Sequence, residues 1–209
     1  MSADIIVLGA GGHARVVADA LIASGRRVRG FLDAAKQGGQ VMGLPVLGGD
    51  EVLASISPAE VELANGIGSA SVMDTRQRVY ANAVAKGFRF ATVIHPSAIV
   101  ASSATLGAGV QVLARAVIQP LATIGENSIV NTGAIVEHDA VIGSHVHVSP
   151  GCVLAGEAKI ADLVHVGVGS VVIQRIAIGA RSFVAAGAVV VEDVSAGTRV
   201  MGVPARVQQ

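Results

Sequence analysis

Residues 129–154 read IVNTGAIVEHDAVIGSHVHVSPGCVL, and within them every sixth position is a branched aliphatic: Val130, Val136, Ile142, Val148 and Leu154. The register runs outward without a slip, through Ile94, Val100, Leu106, Val112, Ile118 and Ile124 on one side and Ile160, Val166, Val172, Ile178, Val184 and Val190 on the other, seventeen anchors in all. Two positions ahead of most anchors the side chain is small, as at Ala116, Ala134, Cys152 and Ala188, and glycine often follows, as at Gly125, Gly143 and Gly167. A period of six is neither the 3.6 of a helix nor the 2 of a plain strand. It is the period of a short strand plus a corner. Three such units close a triangular coil, and coils stack about 4.8 Å apart as neighbouring strands do. A coincidental Val/Ile-rich sandwich drifts in register over this length, so the repeat predicts a parallel β-helix of nearly six coils.

The same geometry accounts for the composition. Of 209 residues, 52% are hydrophobic, 14% charged and 2% aromatic, against about 25% charged in an average soluble domain. A narrow prism takes Val, Ile and Leu inside, Ala and Ser at its corners, and no rings. The longest apolar run, FVAAGAVVV at 183–191, is half of the roughly 18 residues a spanning helix needs. The start, MSADIIVLGAGGH, lacks the basic lead and cleavage site of a secretory signal. Membrane insertion and secretion are therefore not expected, and the lone Cys152 suits a reducing cytoplasm. Fifteen basic residues balance fifteen acidic ones, so nothing draws the chain to nucleic acid. A chain this apolar is not disordered.

Residues 1–92 read differently. ADIIVLGA (3–10) is a strand ending in glycine, HARVVADALIASG (13–25) has helical spacing, and Val28 to Leu32 is a second strand closed by Asp33. A turn-rich stretch leads to a helix expected from Asp50 to Ile56, a strand over 61–67, a helix from Asp74 to Lys86 and a strand from Phe88 to Thr92. This alternation predicts a small N-terminal α/β domain, Rossmann-like βαβαβ, ahead of a β-helix spanning 93–209. GAGGHA with Asp33 some twenty residues on is formally a dinucleotide fingerprint, in which glycines admit a phosphate to a helix N-terminus. About ninety residues make only one half of a doubly wound fold, enough for a mononucleotide. A glycine turn that binds nothing and an NAD-dependent oxidoreductase are the competing readings.

Acyl transfer from a thioester to an amine or hydroxyl needs a base and an oxyanion donor. His138 lies between Glu137 and Asp139, carboxylates able to set its tautomer, and Gly156 follows eighteen residues on, one coil above in the same column. His147 and His165 stack likewise. Their H-x-H spacing with His145 is a weak metal signal, and no metal is expected.

GAGGHARVVADAL, GFLD, IHPSAIV, NTGAIVEHDAVIG, HVSPGCVLAG and MGVPAR, in that order, resemble the bacterial nucleotide-sugar acetyltransferases, which include sialic-acid O-acetyltransferase-like proteins and N-acetyltransferases of UDP- or GDP-linked 4-amino-sugars. The resemblance implies a left-handed coil, against the usual crossover hand, and a homotrimer with active sites between subunits. It places the general base at His138, its acidic support at Asp139 and the amide that meets the thioester carbonyl at Gly156. Some members carry Glu at the Asp139 position, one methylene longer. Acetyl-CoA contacts fall on His147, Gly156, Val168 and Ala186, the last a position where some relatives have Gly. Gly11, Gly12 and His13 match the segment that holds the phosphates of the sugar nucleotide, Asp33 an acidic position at the nucleoside, and Gly68 a glycine lining the same pocket. Some UDP-sugar members have a second Asp where this chain has Ala34, which leaves GDP-sugars open. The implied activity is acetyl transfer from acetyl-CoA to the amine of a nucleotide-linked 4-amino-sugar. O-acetylation of a sialic acid is the alternative, and a nucleotide-binding assembly protein that uses the prism only as a prop is a third.

Overall fold

The computed structural model describes residues 3–68 and 74–208. An α/β domain comes first, with β1 (Asp4–Leu8), α1 (Gly12–Ala23), β2 (Val28–Leu32), β3 (Gln40–Val41), β4 (Leu44–Gly48), β5 (Val61–Asn65) and α2 (Asp74–Ala85). The sheet order is β3-β4-β2-β1-β5, with β1 parallel to β2 and β5, and β4 parallel to β2. Strand β1 is buried from Ile5 to Leu8, as a near-continuous apolar run requires.

Three local expectations are corrected. The turn-rich stretch holds the β3–β4 hairpin, whose two-residue turn puts Met42 at φ 53° and Gly43 at φ 75°. Two positive φ values define a type I′ turn, which usually announces itself as Asn-Gly; Met in the first place conceals it. The expected Asp50–Ile56 helix is a 3₁₀ segment, Asp50–Ser55, too short for α-helical cooperativity. The expected strand at Phe88–Thr92 contributes only a single bridge, Phe90 to Leu63.

From Val93 onward the chain coils. Seventeen two-residue strands run from Val93–Ile94 to Val189–Val190, each ending on one of the anchors, and they form three parallel sheets, the faces of a left-handed prism. The first face carries Gln111, Ile129, His147, His165 and Phe183 outward; the second includes Ile135–Val136 and Val153–Leu154; the third includes Val141–Ile142 and Lys159–Ile160. Anchors from Val112 to Val190 are buried in one core with the small corner residues. At every sixth residue from Gly109 to Gly187 the backbone is left-handed, φ 53–69°, although nine of these fourteen corners are not glycine. The ladder enforces it: the corner amides of Asp139 and Glu157 donate to the carbonyls of Pro120 and His138 one coil below, at 3.1 and 2.9 Å. After Val190 the spacing shortens, so that Val194 bridges Ile178 and Val200 pairs with Val184.

The two parts share a core. Buried residues of α1 and β1, among them Val17, Leu21 and Ile5, pack with Leu113 and Ile129 of the prism. The α/β domain thus sits on the first face. No helix among the described residues is long and apolar enough to cross a membrane.

Candidate active site

The cavity at the junction of the two parts has a volume of about 610 Å³. Its α/β wall is Gly11, Gly12, His13, Asp33 and Gly68; its prism wall is Asn131 and His147. Helix α1 opens toward it with Gly11 as its cap, no side chain bonded to the free amides and no acidic residue in the first turn. Such an end attracts anions. Asp33 holds this loop in shape: Oδ2 accepts the Ala10 amide at 3.0 Å and Oδ1 the Ala35 amide at 3.0 Å, each oxygen keeping a further lone pair. Lys36, which the sequence did not single out, donates from Nζ to the Ala10 carbonyl at 2.7 Å. Gly66 is obligatory here, because a Cβ would lie 2.6 Å from that of Ala14 and 2.7 Å from the Leu8 carbonyl.

His13 stands inside the cavity, its Nε2 2.8 Å from Gln111 Oε1 and its ring 6.5 Å from that of His147. Burial, helped by the charge of Arg76, lowers its pKa to about 4. Behind the cavity Arg76 is fully buried and donates to three carbonyls, those of Asn65, Ile67 and Asn127, fastening the 65–68 loop to the prism. Above His147 the first face continues as a run of rings. His165 lies 5.0 Å from His147, Phe183 stacks on His165 at 4.9 Å, and Arg199 covers Phe183. Burial lowers the His165 pKa to about 4 as well.

The second cluster is at the corner between the second and third faces. His138 Nδ1 lies 2.9 Å from Asp139 Oδ2, and both side chains are open to solvent. The hydrogen bond to Asp139 chiefly raises the His138 pKa, opposed by slight desolvation and aided by the charges of Asp139, Glu137 and Glu157. A carboxylate that accepts the Nδ1–H hydrogen bond leaves Nε2 unprotonated with its lone pair available, the arrangement a general base needs. The ring packs against the next coil: a Cβ on Gly156 would be 2.6 Å from Nε2 and 2.7 Å from Cε1, so glycine leaves the ring its place. Among the described residues no carbonyl accepts the Gly156 N–H.

Val168 and Ala186 stack at a third location, the corner between the first and second faces, where the Gly187 amide donates to the Val168 carbonyl at 2.8 Å. One chain therefore gathers Gly11, Gly12, His13, Asp33, Gly68 and His147 in the cavity, and His138, Asp139 and Gly156 at a corner opposite the face that bears that cavity. Gln111, Asn131 and Arg76 escaped sequence reading, because nothing in a polar residue on a strand or helix tells which neighbour it meets. No group of three His, Cys, Asp or Glu side chains among the described residues is placed to hold a metal ion.

A coiled prism with a histidine–carboxylate pair on a glycine, joined to a mononucleotide-sized α/β domain, is the build of an acyl-CoA-dependent transferase. Residues 4–83 match the family described as PglD N-terminal domain, and residues 121–156 match Bacterial transferase hexapeptide (six repeats). No match was found among curated protein sequences. Among solved structures, the acetyltransferase domain of PglB from Neisseria gonorrhoeae FA1090 is 36% identical with a TM-score of 0.94, the match covering 99% of this chain and 100% of that one. PerB from Caulobacter crescentus, in complex with CoA and GDP-perosamine, is 37% identical with a TM-score of 0.92, covering 99% of this chain and 97% of that one. WeeI from Acinetobacter baumannii AYE, at 24% identity and TM-score 0.89 over 99% of this chain and 100% of that one, shares the fold. The chain belongs to the hexapeptide-repeat sugar N-acetyltransferases with a PglD-type N-terminal domain, enzymes that use acetyl-CoA.

Proposed function

We propose that the protein acetylates the amine of a nucleotide-linked 4-amino-sugar, and that each active site is completed by a second copy of the chain in a homotrimer. The observation that carries this is the separation just described. The cavity suited to the nucleotide lies on the first face, and the His138 corner lies opposite that face. Within one chain the sugar amine cannot reach the base, whereas in a closed cyclic assembly one copy's corner meets the next copy's cavity.

The Gly11–Gly12 turn and the start of α1 hold the phosphates, Asp33 reads the nucleoside, and Gly68 leaves room beside it. Val168 and Ala186 line the coenzyme's path along the prism, a corner of small and apolar side chains suited to a pantetheine arm, with His147 at its cavity end. The amine attacks the thioester carbonyl carbon while His138 Nε2 takes its proton. Negative charge gathers on the carbonyl oxygen, which the Gly156 N–H stabilises. The C–S bond then breaks, and the CoA thiolate departs and recovers the proton from the imidazolium. Cys152 takes no part: it is buried, and burial raises its thiol pKa. The reaction belongs in the cytoplasm, and its product enters glycan assembly.

Mixing two inactive variants tests the shared site. His138→Ala and His13→Ala, unfolded together and refolded as hybrids, are expected to recover about a quarter of wild-type thiol release, since a site needs one intact residue from each of two neighbours. Hybrids that stay inactive would show that each site lies within one chain. Running the wild type with UDP-linked, GDP-linked and CMP-linked sugars identifies the base and the acceptor group.

A further inference from the structure

A run of hydrogen bonds from the prism into the cavity sets the state of His13. Gln111 faces out from the first face beneath the α/β domain and is 1% exposed. Its Nε2 donates to the Asn65 carbonyl at 2.8 Å. A carbonyl cannot donate, so the orientation of the amide is determined and Oε1 must face His13. The 2.8 Å contact between Gln111 Oε1 and His13 Nε2 is therefore an Nε2–H donating to oxygen. The Asn65 carbonyl also accepts from Arg76 Nη1 at 2.8 Å, so a buried cation stands behind the amide and disfavours a second one on His13. Nδ1 is then the unprotonated ring nitrogen, and no described residue donates to it.

Across the cavity the same logic holds for His147. Asn131 Oδ1 accepts the Thr132 amide at 2.8 Å, which turns its Nδ2 toward His147 Nε2 at 3.0 Å and makes that nitrogen an acceptor. Each histidine thus has its tautomer set by a carboxamide whose own orientation is fixed by a backbone group, with opposite results: Nε2 of His13 donates and Nε2 of His147 accepts.

We propose that Gln111 is a positioning residue that holds His13 as the Nε2–H imidazole, so that Nδ1 recognises a hydrogen-bond donor on the sugar, a hydroxyl or an amino N–H, and leaves the phosphates to the backbone amides at the start of α1. This deepens the nucleotide-amino-sugar reading and rests on it. A phosphate oxygen is itself an acceptor and gains nothing from a bare imidazole nitrogen, whereas a sugar O–H or N–H does. Burial, the main influence on His13, acts to keep the ring neutral.

The experiment uses the full-length enzyme labelled with ¹⁵N-histidine, with the His13 resonances assigned by their loss in His13→Asn. The wild type is expected to show a protonated Nε2 and a bare Nδ1 at pH 7. Gln111→Glu, which sets a carboxylate against the ring, is expected to charge it. That variant should raise KM for the nucleotide amino-sugar about tenfold or more while KM for acetyl-CoA and Kd for the bare nucleoside diphosphate move about twofold or less. In case Gln111→Glu folds poorly, two substitutions at the half-buried His13 carry the same question. His13→Asn sets its carboxamide oxygen near the place of Nδ1, whereas His13→Gln reaches the place of Nε2; the Asn variant should bind the nucleotide amino-sugar about fivefold tighter than the Gln variant. A wild-type His13 that is cationic or carries its proton on Nδ1 overturns the proposal. So does a Gln111→Glu enzyme that binds the nucleotide amino-sugar more tightly, as a phosphate-binding cation would. A wild type that binds no sugar nucleotide defeats the functional reading and the ligand half of the proposal, while the ¹⁵N spectrum still decides the role of Gln111.

Discussion

His13, at the start of α1 and half-buried, donates Nε2–H to a buried amide; His138, on an open corner of the prism, bonds through Nδ1 to a carboxylate. Burial lowers the pKa of the first to about 4, and the carboxylate raises that of the second. One residue type is thereby kept neutral in one region and made more basic in the other. What separates them is the partner and the water, since the imidazole is the same.

The comparison breaks most sharply at His138, the proposed base. His138→Ala is expected to lower turnover about 100-fold or more, with the oligomer intact by size-exclusion chromatography, measured as thiol release from acetyl-CoA. Near-normal turnover in that variant removes His138 from the mechanism. Gly156→Ala places a methyl where the His138 ring lies, within 2.6 Å of Nε2, and displaces it. Turnover should fall about 30-fold, because small misplacements of a reacting group are costly. Asp139→Asn is a milder change, about tenfold in kcat. It also carries a sign: wild-type activity rises as pH climbs through the raised His138 pKa, and removing the carboxylate moves that acid limb to lower pH. An unmoved limb would assign the limb to another group.

The smallest expected effect concerns stability on the cavity side. His13 and His165 titrate near 4 in the folded protein against an ordinary 6.5, so below 6.5 the unfolded chain binds protons that the folded chain refuses. Their contribution to stability is whole above pH 6.5 and is lost as pH falls toward 4. Thermal scans across that window should show Tm falling by less in His165→Phe than in wild type, the ring stack being kept while one titrating group is removed.

The prism was legible in advance because a repeat of six has only one packing solution, and each anchor from Ile94 to Val190 ends a strand. The pairing of His138 with Gly156 was legible for the same reason, since residues eighteen apart share a column. The left-handed corners at residues such as Arg115, Leu121 and Arg181 were not legible, because the coil imposes them on side chains that disfavour them. The β3–β4 hairpin hid behind Met42 and Pro45. Gln111 reads as an ordinary exposed strand residue; it is buried only because another domain lies across it.

The sequence by itself determined the coil, its register, the small α/β domain ahead of it and the candidate base with its carboxylate, because all of these follow from short-range spacing and local chemistry. Only the tertiary structure decided which prism face the α/β domain covers, which amide meets His13, and that the junction cavity and the His138–Asp139 pair lie on opposite sides of one chain. Those outcomes depend on contacts between residues about a hundred positions apart, such as His13 and Gln111. No period in the sequence records such contacts; only the packing of one domain on the other creates them.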